Sequence, residues 1–198
     1  MQRIKKLHDC LYTIDEFLED RMFGTIIEEF NVKNNSWAFN KREMGVHDLH
    51  PKFGNILKQQ YDANGVGDIL PLIQVAEVSK YYVMKVLKKR MRLERVNTNI
   101  QFAGQHSSLH EDGGVHQWTL CIFVGTGWNY QWGGPFQIFI DQEEFLIPFN
   151  PNRAVLFRAD WPHKGYAPTH LCPDARLSVA FTYSDYDAMM STNVNPFY

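Results

Sequence analysis

The apolar positions of this chain change their period near residue 95. In EDRMFGTIIEEF, Met22, Phe23, Ile26, Ile27 and Phe30 recur at helical spacing, with Glu28 and Glu29 on the opposite side. A longer helix is predicted from Asp68 to Arg92, with Leu72, Ile73, Ala76, Tyr81, Met84 and Leu87 on or near its buried face. Asp68 serves there as a cap, and Pro71 is tolerated in the first turn. Between the two helices, Asn31 to Gly67 is rich in Asn, Gly and polar residues, holds Trp37 and Phe39, and reads as loops with a short strand and a short helix. After Glu94 the period becomes 2: Val96, Thr98, Ile100 and Phe102 alternate with Asn97, Asn99 and Gln101. HQWTLCIFV, FQIFI, EEFLIPF, RAVLFR and RLSVAFTY follow, separated by turns rich in Gly, Pro or Asn. Six or seven short strands at this spacing predict a closed or double-sheet antiparallel structure such as a jelly roll, with N-terminal helices covering one face. The fold class is therefore α+β.

Length and composition narrow this picture. The 198 residues suit one domain, with helix-rich support over 1–95, the jelly-roll core over 96–186 and a tail over 187–198. A net charge of -2 gives no footprint for nucleic-acid or membrane-surface binding. The local cationic run from Lys85 to Arg95 reads as the solvated end of the long helix. Three widely spaced cysteines (Cys10, Cys121, Cys172) form no C-x-x-C pair, which points to a reducing compartment rather than a disulfide framework. The N-terminal LHDCLYTIDEFLED carries acids where a signal peptide needs an apolar run, and no apolar stretch reaches transmembrane length. A cytoplasmic protein is expected. Nothing in the sequence fixes an oligomeric state.

The chemistry concentrates in three places. His110-Glu111-Asp112 is followed by His163 and then by Arg176-Leu177-Ser178. Residues i and i+2 of a strand share a face, so His110 and Asp112 are expected together at a strand end, with Glu111 turned away. Gly113-Gly114 ends that strand. His163 follows RAVLFRADWP, where a ligand from a neighbouring strand could arrive. Two imidazoles and a carboxylate on one face of a metal leave open positions, as a non-haem Fe(II) site requires. Arg176 would hold the far carboxylate of an organic acid, with Ser178 facing the same way as a second donor.

From about Tyr12 to Tyr183 the chain resembles the Fe(II)/2-oxoglutarate-dependent dioxygenases, and within them the prolyl 4-hydroxylase-like group. IDEFLEDRMFGTIIEEF resembles the opening strand and helix of that group, and QFAGQHSSLHEDGG its metal-strand segment, with Gly104 upstream. WGGPFQIF resembles its "GG" strand, NRAVLFRADWPHKGYAP the strand delivering the distal histidine, and ARLSVAFTY the strand bearing the arginine. The resemblance implies a double-stranded β-helix with His110, Asp112 and His163 as ligands of Fe(2+), and Arg176 with Ser178 on the C5 carboxylate of 2-oxoglutarate. It implies hydroxylation of an aliphatic C–H, with O2 as co-substrate, succinate and CO2 as co-products and ascorbate as a candidate accessory. Members that halogenate lack the carboxylate ligand, so Asp112 favours hydroxylation. The best match for substrate is a prolyl residue of a protein or peptide, with a small molecule as the other class.

Two departures are visible. The tyrosine that such relatives often carry upstream of H-x-D to help hold 2-oxoglutarate is missing. Gln101 or Phe102 falls near its place, and Gln101 first, then Asn97 or Asn99, is the candidate to substitute for it in co-substrate binding. Pro135 replaces an acid after Gly133-Gly134. The loop GTGWNYQWGGP offers Trp128, Tyr130 and Trp132 either as packing for the barrel or as a lid touching substrate. His106 and His110 stand at i and i+4, but the flanking glycines argue against a helix there. His116 is expected on a strand near the pocket, His170 in a surface loop, and His8, His47 and His50 in the helical half. A cupin-type metalloenzyme, which needs no Arg176, and a non-catalytic binding module of the same fold are the alternatives.

Overall fold

RLSVAFTY folds into the last strand of the chain, and every one of its positions is buried. A strand covered on both faces loses the alternation of polar and apolar residues and reads as a continuous run, as QWTLCIFV also does. The computed structural model describes residues 3–29, 38–39, 53–56 and 70–192. In chain order it has β1 (Arg3–His8), β2 (Leu11–Asp15), α1 (Asp20–Glu29), β3 (Ala38–Phe39), β4 (Phe53–Ile56) and α2 (Leu70–Leu87). Then come β5 (Met91–Gln101), β6 (Gln117–Val124), β7 (Phe136–Ile140), β8 (Glu143–Ile147), β9 (Ala154–Arg158), β10 (His163–Gly165), β11 (Arg176–Asp185) and α3 (Tyr186–Thr192).

Eight strands form one sheet in the order β1-β2-β9-β6-β11-β5-β4-β3, and β10-β7-β8 form a second. Among the described residues every strand pairing in both sheets is antiparallel, giving an α+β jelly roll. The pleat sorts the side chains of β11. Leu177, Val179, Phe181 and Tyr183 face outward into a core shared with α1 and α2, and the Tyr183 hydroxyl donates to Ala76 O at 3.2 Å. Arg176, Ser178 and Ala180 face inward and line a cavity. A second core between the sheets is built from Phe123, Phe136, Ile138, Val155 and Phe157. Pairing of β11 with β5 is regular from Arg176↔Gln101 to Thr182↔Arg95, then shifts so that Tyr183 faces Leu93. Glu94 is left over as a bulge.

Several expectations change here. The first 95 residues are not simply helical, because β1 and β2 extend the large sheet, and His8 lies on β1. RIKKLH carries a polar edge strand with no apolar period to betray it. The long helix stops at Leu87, since Lys88 takes φ 56, and Arg92 and Arg95 belong to β5. Tyr81 is 59% exposed, whereas Val75, Ala76 and Val83 are buried. Tyr81 stands two residues from Val83, which on a helix is the far side. The short-helix expectation within 31–67, the Asp68 cap, Leu72 and Ile73, Phe30, Trp37, His47, His50 and residues 193–198 of the tail lie outside the described residues or side chains.

Asn152 joins the helical layer to the sheets. It takes φ 62; its Oδ1 accepts from Leu18 N and its Nδ2 donates to Leu18 O, both at 2.8 Å. Asn152→Ala removes both bonds and leaves a Cβ-bearing residue with no local hydrogen bond in the left-handed region. A loss of about 2–4 kcal/mol in urea denaturation is expected. An unchanged midpoint would show that the clamp carries no stability.

Candidate metal centre

Three ligand-type atoms converge at one end of the inner cavity. His110, Asp112 and His163 each place one such atom within 4.8 Å of the others, close enough for one cation to touch all three. His110 Nε2 is 3.9 Å from Asp112 Oδ1, and His163 Nε2 is 3.5 Å from Asp112 Oδ2. Both rings present Nε2 because their other nitrogens are taken: His110 Nδ1 meets Ser108 O and His163 Nδ1 meets Trp161 O, each at 2.9 Å. A proton on Nδ1 donated to a carbonyl leaves the Nε2 lone pair free, as a metal-binding imidazole needs.

The sequence anticipated a regular strand end under His110 and Asp112. Instead they lie in an irregular segment after β5. His110 makes one isolated bridge to His163, with backbone bonds of 3.0 and 2.9 Å in the two directions. Asp112 N donates to Ala159 O at 2.8 Å, so the carboxylate is set by the β9–β10 connection. Hydrogen bonds to a facing strand replace the missing ladder.

Two side chains that the sequence did not single out orient the Asp112 carboxylate. Arg95 Nη2 donates to Oδ1 at 3.0 Å and to Asp112 O at 2.6 Å, and Thr119 Oγ1 donates to Oδ2 at 2.8 Å. Arg95 belongs to β5 rather than to the cationic helix end the sequence predicts, and the inward alternation of that strand brings it to this site. Thr119 alternates with Cys121 and Phe123 on the inner face of β6, a signal the continuous apolar run obscured. Burial works to raise the Asp112 carboxyl. The Arg95 guanidinium and, when the imidazoles are protonated, the hydrogen bond and charge of His163 and the charge of His110 outweigh it and hold the group well below the usual carboxylate range. Asp112 is thus an anion at any physiological pH.

Arg176 lies in the same cavity, 2% exposed. Its Nε donates to Gly134 O and its Nη1 to Gln101 Oε1, both at 2.8 Å, and its guanidinium lies 5.2 Å from the ring centres of Phe123 and Phe149. Among the described residues no carboxylate pairs with it. Burial pushes it down to about 10, so it stays charged at neutral pH. Gly134 has φ 71, and a Cβ there would come within 3.2 Å of Arg176 Cδ, which explains the glycine pair after Trp132. Ser178, Asn97, Asn99 and Gln101 also line the cavity. Burial pushes the neighbouring Cys121 thiol up to about 11, leaving it neutral.

Trp128, Tyr130 and Trp132 do not line this cavity. Trp128 packs on Phe149 with ring centres 4.3 Å apart and meets Trp132 edge-on, while Tyr130 is 86% exposed. His106 Nδ1 accepts from Ala167 N rather than sharing a site with His110. His116 is exposed in the turn before β6, and His170 is exposed in a loop.

No family model matches the chain, and no curated protein matches it. Solved structures do. A Pseudomonas putida prolyl-4-hydroxylase is 13% identical with a TM-score of 0.67, covering 89% of this chain and 92% of that one. This chain has the fold of the 2-oxoglutarate–Fe(II) oxygenases. Its core is their double-stranded β-helix. A Trichoplax adhaerens prolyl hydroxylase, solved with a peptide fragment of the hypoxia inducible factor oxygen degradation domain, is 13% identical over 94% of this chain and 88% of its own, with a TM-score of 0.67. A non-haem alpha-ketoglutarate-dependent epimerase from nogalamycin biosynthesis is 11% identical over 89% and 78%, with a TM-score of 0.65. Among the described residues, no helix is long and apolar enough to cross a membrane.

Asp112→Ala and His110→Ala should each abolish stoichiometric Fe(II) binding in an anaerobic titration. Thr119→Val, which frees one carboxylate oxygen, should weaken it by about 10–100-fold. Full iron stoichiometry in both alanine variants would remove these residues from the metal site.

Proposed function

We propose that the chain is an Fe(II)- and 2-oxoglutarate-dependent oxygenase that hydroxylates an aliphatic C–H bond, with prolyl residues of a protein or peptide as its substrate. One observation carries this reading. A cluster of two imidazoles and one carboxylate lines the same cavity as a buried cation that has no acid partner among the described residues. A cupin-type site would need the first and not the second. A buried guanidinium with no counter-ion is costly unless an anion completes it, and the free carboxylate of a dicarboxylic acid in this cavity would do so.

Fe(II) with 2-oxoglutarate and O2 supplies oxidative decarboxylation to succinate and CO2, coupled to oxidation of a substrate C–H bond. The chain supplies position and charge. His110 and His163 would present their Nε2 atoms to the ion, and Asp112 presents an anion whose plane is set by Arg95 and Thr119. Arg176 and Ser178 take the distal carboxylate of the co-substrate, in a pocket walled by Phe136 and Phe157 that limits water.

The prolyl reading is supported by the prolyl hydroxylases among the structural relatives. A small-molecule substrate is the second reading, favoured by the epimerase and a carbocyclase from nogalamycin biosynthesis on the same fold. Neither substrate class draws on Trp128, Tyr130 or Trp132 as cavity walls, although Tyr130 is free to meet a ligand outside the cavity.

Anaerobic Fe(II) with 2-oxoglutarate should develop a weak visible charge-transfer band that needs both components. Arg176→Ala should raise the 2-oxoglutarate requirement by about 10–100-fold or more while iron stays bound, since it deletes charge-assisted bonds. Loss of iron in that variant would make Arg176 structural. In assays with ascorbate present, succinate release should be stimulated by proline-rich peptides. Stimulation by another substrate class and not by peptides would replace the prolyl assignment.

A further inference from the structure

Gln101 ends β5 directly opposite Arg176 and is 1% exposed. Its carboxamide has only one workable orientation. Nε2 donates to Gln105 O at 2.9 Å and to Gly165 O at 3.1 Å, with Ser107 Oγ at 3.4 Å. With its N–H bonds turned to those carbonyls, Oε1 faces Arg176 and accepts from Nη1 at 2.8 Å. A 180° amide rotation would set an oxygen against two carbonyl oxygens and an NH2 against a guanidinium. There is no slack to relieve it. A Cβ on Gly165 would lie 3.0 Å from both Arg176 Nη1 and Gln101 Oε1.

The same carboxamide reaches the segment leading into His110. Gln105 and Ser107 both belong to it, Ser107 N donates to Gly165 O at 3.1 Å, and Ala167 N donates to His106 Nδ1 at 3.2 Å. Gln101 therefore stands between the buried cation and the loop that carries the first histidine. A neutral acceptor fixes a guanidinium without cancelling its charge. Of the five N–H bonds of Arg176, Gly134 O and Gln101 Oε1 take two, and among the described residues nothing takes the other three, which can meet an incoming anion.

We propose that Gln101 is a positioning residue that aims an uncompensated Arg176 at the distal carboxylate of the co-substrate and ties that anchor to the 102–109 loop. This rests on the 2-oxoglutarate reading of the cavity. An acid at this position would fix the cation and also neutralise it; an aliphatic side chain would do neither.

The test compares the wild type with Gln101→Met and Gln101→Glu. Dissociation constants for 2-oxoglutarate come from anaerobic titration with Fe(II), and hydrogen exchange over residues 102–109 is followed without any ligand. Gln101→Met should raise the 2-oxoglutarate constant by about 10–100-fold, the worth of a hydrogen bond to a charged group. It should also speed exchange in the loop, while iron binding without 2-oxoglutarate is unchanged. Gln101→Glu, which can still accept from Nη1, should bind 2-oxoglutarate more weakly than Gln101→Met because it pairs the cation internally. A role in packing alone would rank the two the other way, and either that order or a wild-type constant in Gln101→Met overturns the proposal. If the wild type takes up no 2-oxoglutarate, the proposed function fails. The exchange arm then decides alone: faster exchange in Gln101→Met supports the tie, and equal protection overturns it.

Discussion

The pleat of β11 is the constraint on which the molecule turns. The strand is hydrogen-bonded on both sides, to β5 and β6, and neither of its faces meets water. Leu177, Val179, Phe181 and Tyr183 hold the helices to the sheet, and Arg176, Ser178 and Ala180 build the wall of the cavity. Slipping by one residue would send Arg176 and Ser178 into an apolar core and put Leu177 and Val179 beside the ligand cluster. The apolar packing that stabilises the outer layer is therefore also what keeps a charged residue aimed inward. Stability and chemistry are two readings of one alternation.

Placing that charge inside is the costly part of the design. A guanidinium removed from water loses far more than a single neutral hydrogen bond returns. Here the compensation is distributed over a backbone carbonyl, a carboxamide oxygen and two aromatic faces, none of which is an anion. At the other end of the cavity the balance is opposite. Asp112 has a cation, a hydroxyl and two imidazoles around it. The cavity thus holds a fixed negative group where a cation fits and a fixed positive group where an anion fits. Pre-set polarity of this kind costs folding energy in advance and spares reorganisation when the ligand arrives.

The alternation after residue 95, the continuous runs and the spacing of the candidate residues made the jelly roll and its inner face legible in the sequence. His110, Asp112 and His163 converge because H-x-D and a histidine past a strand can meet once the sheets are stacked. The sequence concealed whatever depended on long-range pairing. Arg95 read as part of a charge cluster because nothing local reveals that Lys88 breaks the helix and that Met91 starts a strand. Thr119 was hidden inside a run whose neighbours are all apolar. β1 was obscured because an edge strand needs few apolar residues, and RIKKLH offers cations instead. Trp128 and Trp132 drew attention by their size, yet their rings pack against each other and Phe149.

The bulge at Glu94 bears on how this strand can vary in length. On its C-terminal side, Arg95 reaches Asp112 and Asn97, Asn99 and Gln101 line the cavity, and on its N-terminal side Met91 and Leu93 pack against the outer core. Glu94 is the extra residue between two segments that are already in phase with β11. Removing it would join Leu93 to Arg95 as an ordinary alternating pair, with every other side chain of β5 on its present face. Removing any residue from Val96 to Ile100 would instead turn part of the inner row outward. The strand can be shortened at its bulge and is length-locked beyond it, so insertions and deletions in this part of the chain should gather at a single codon.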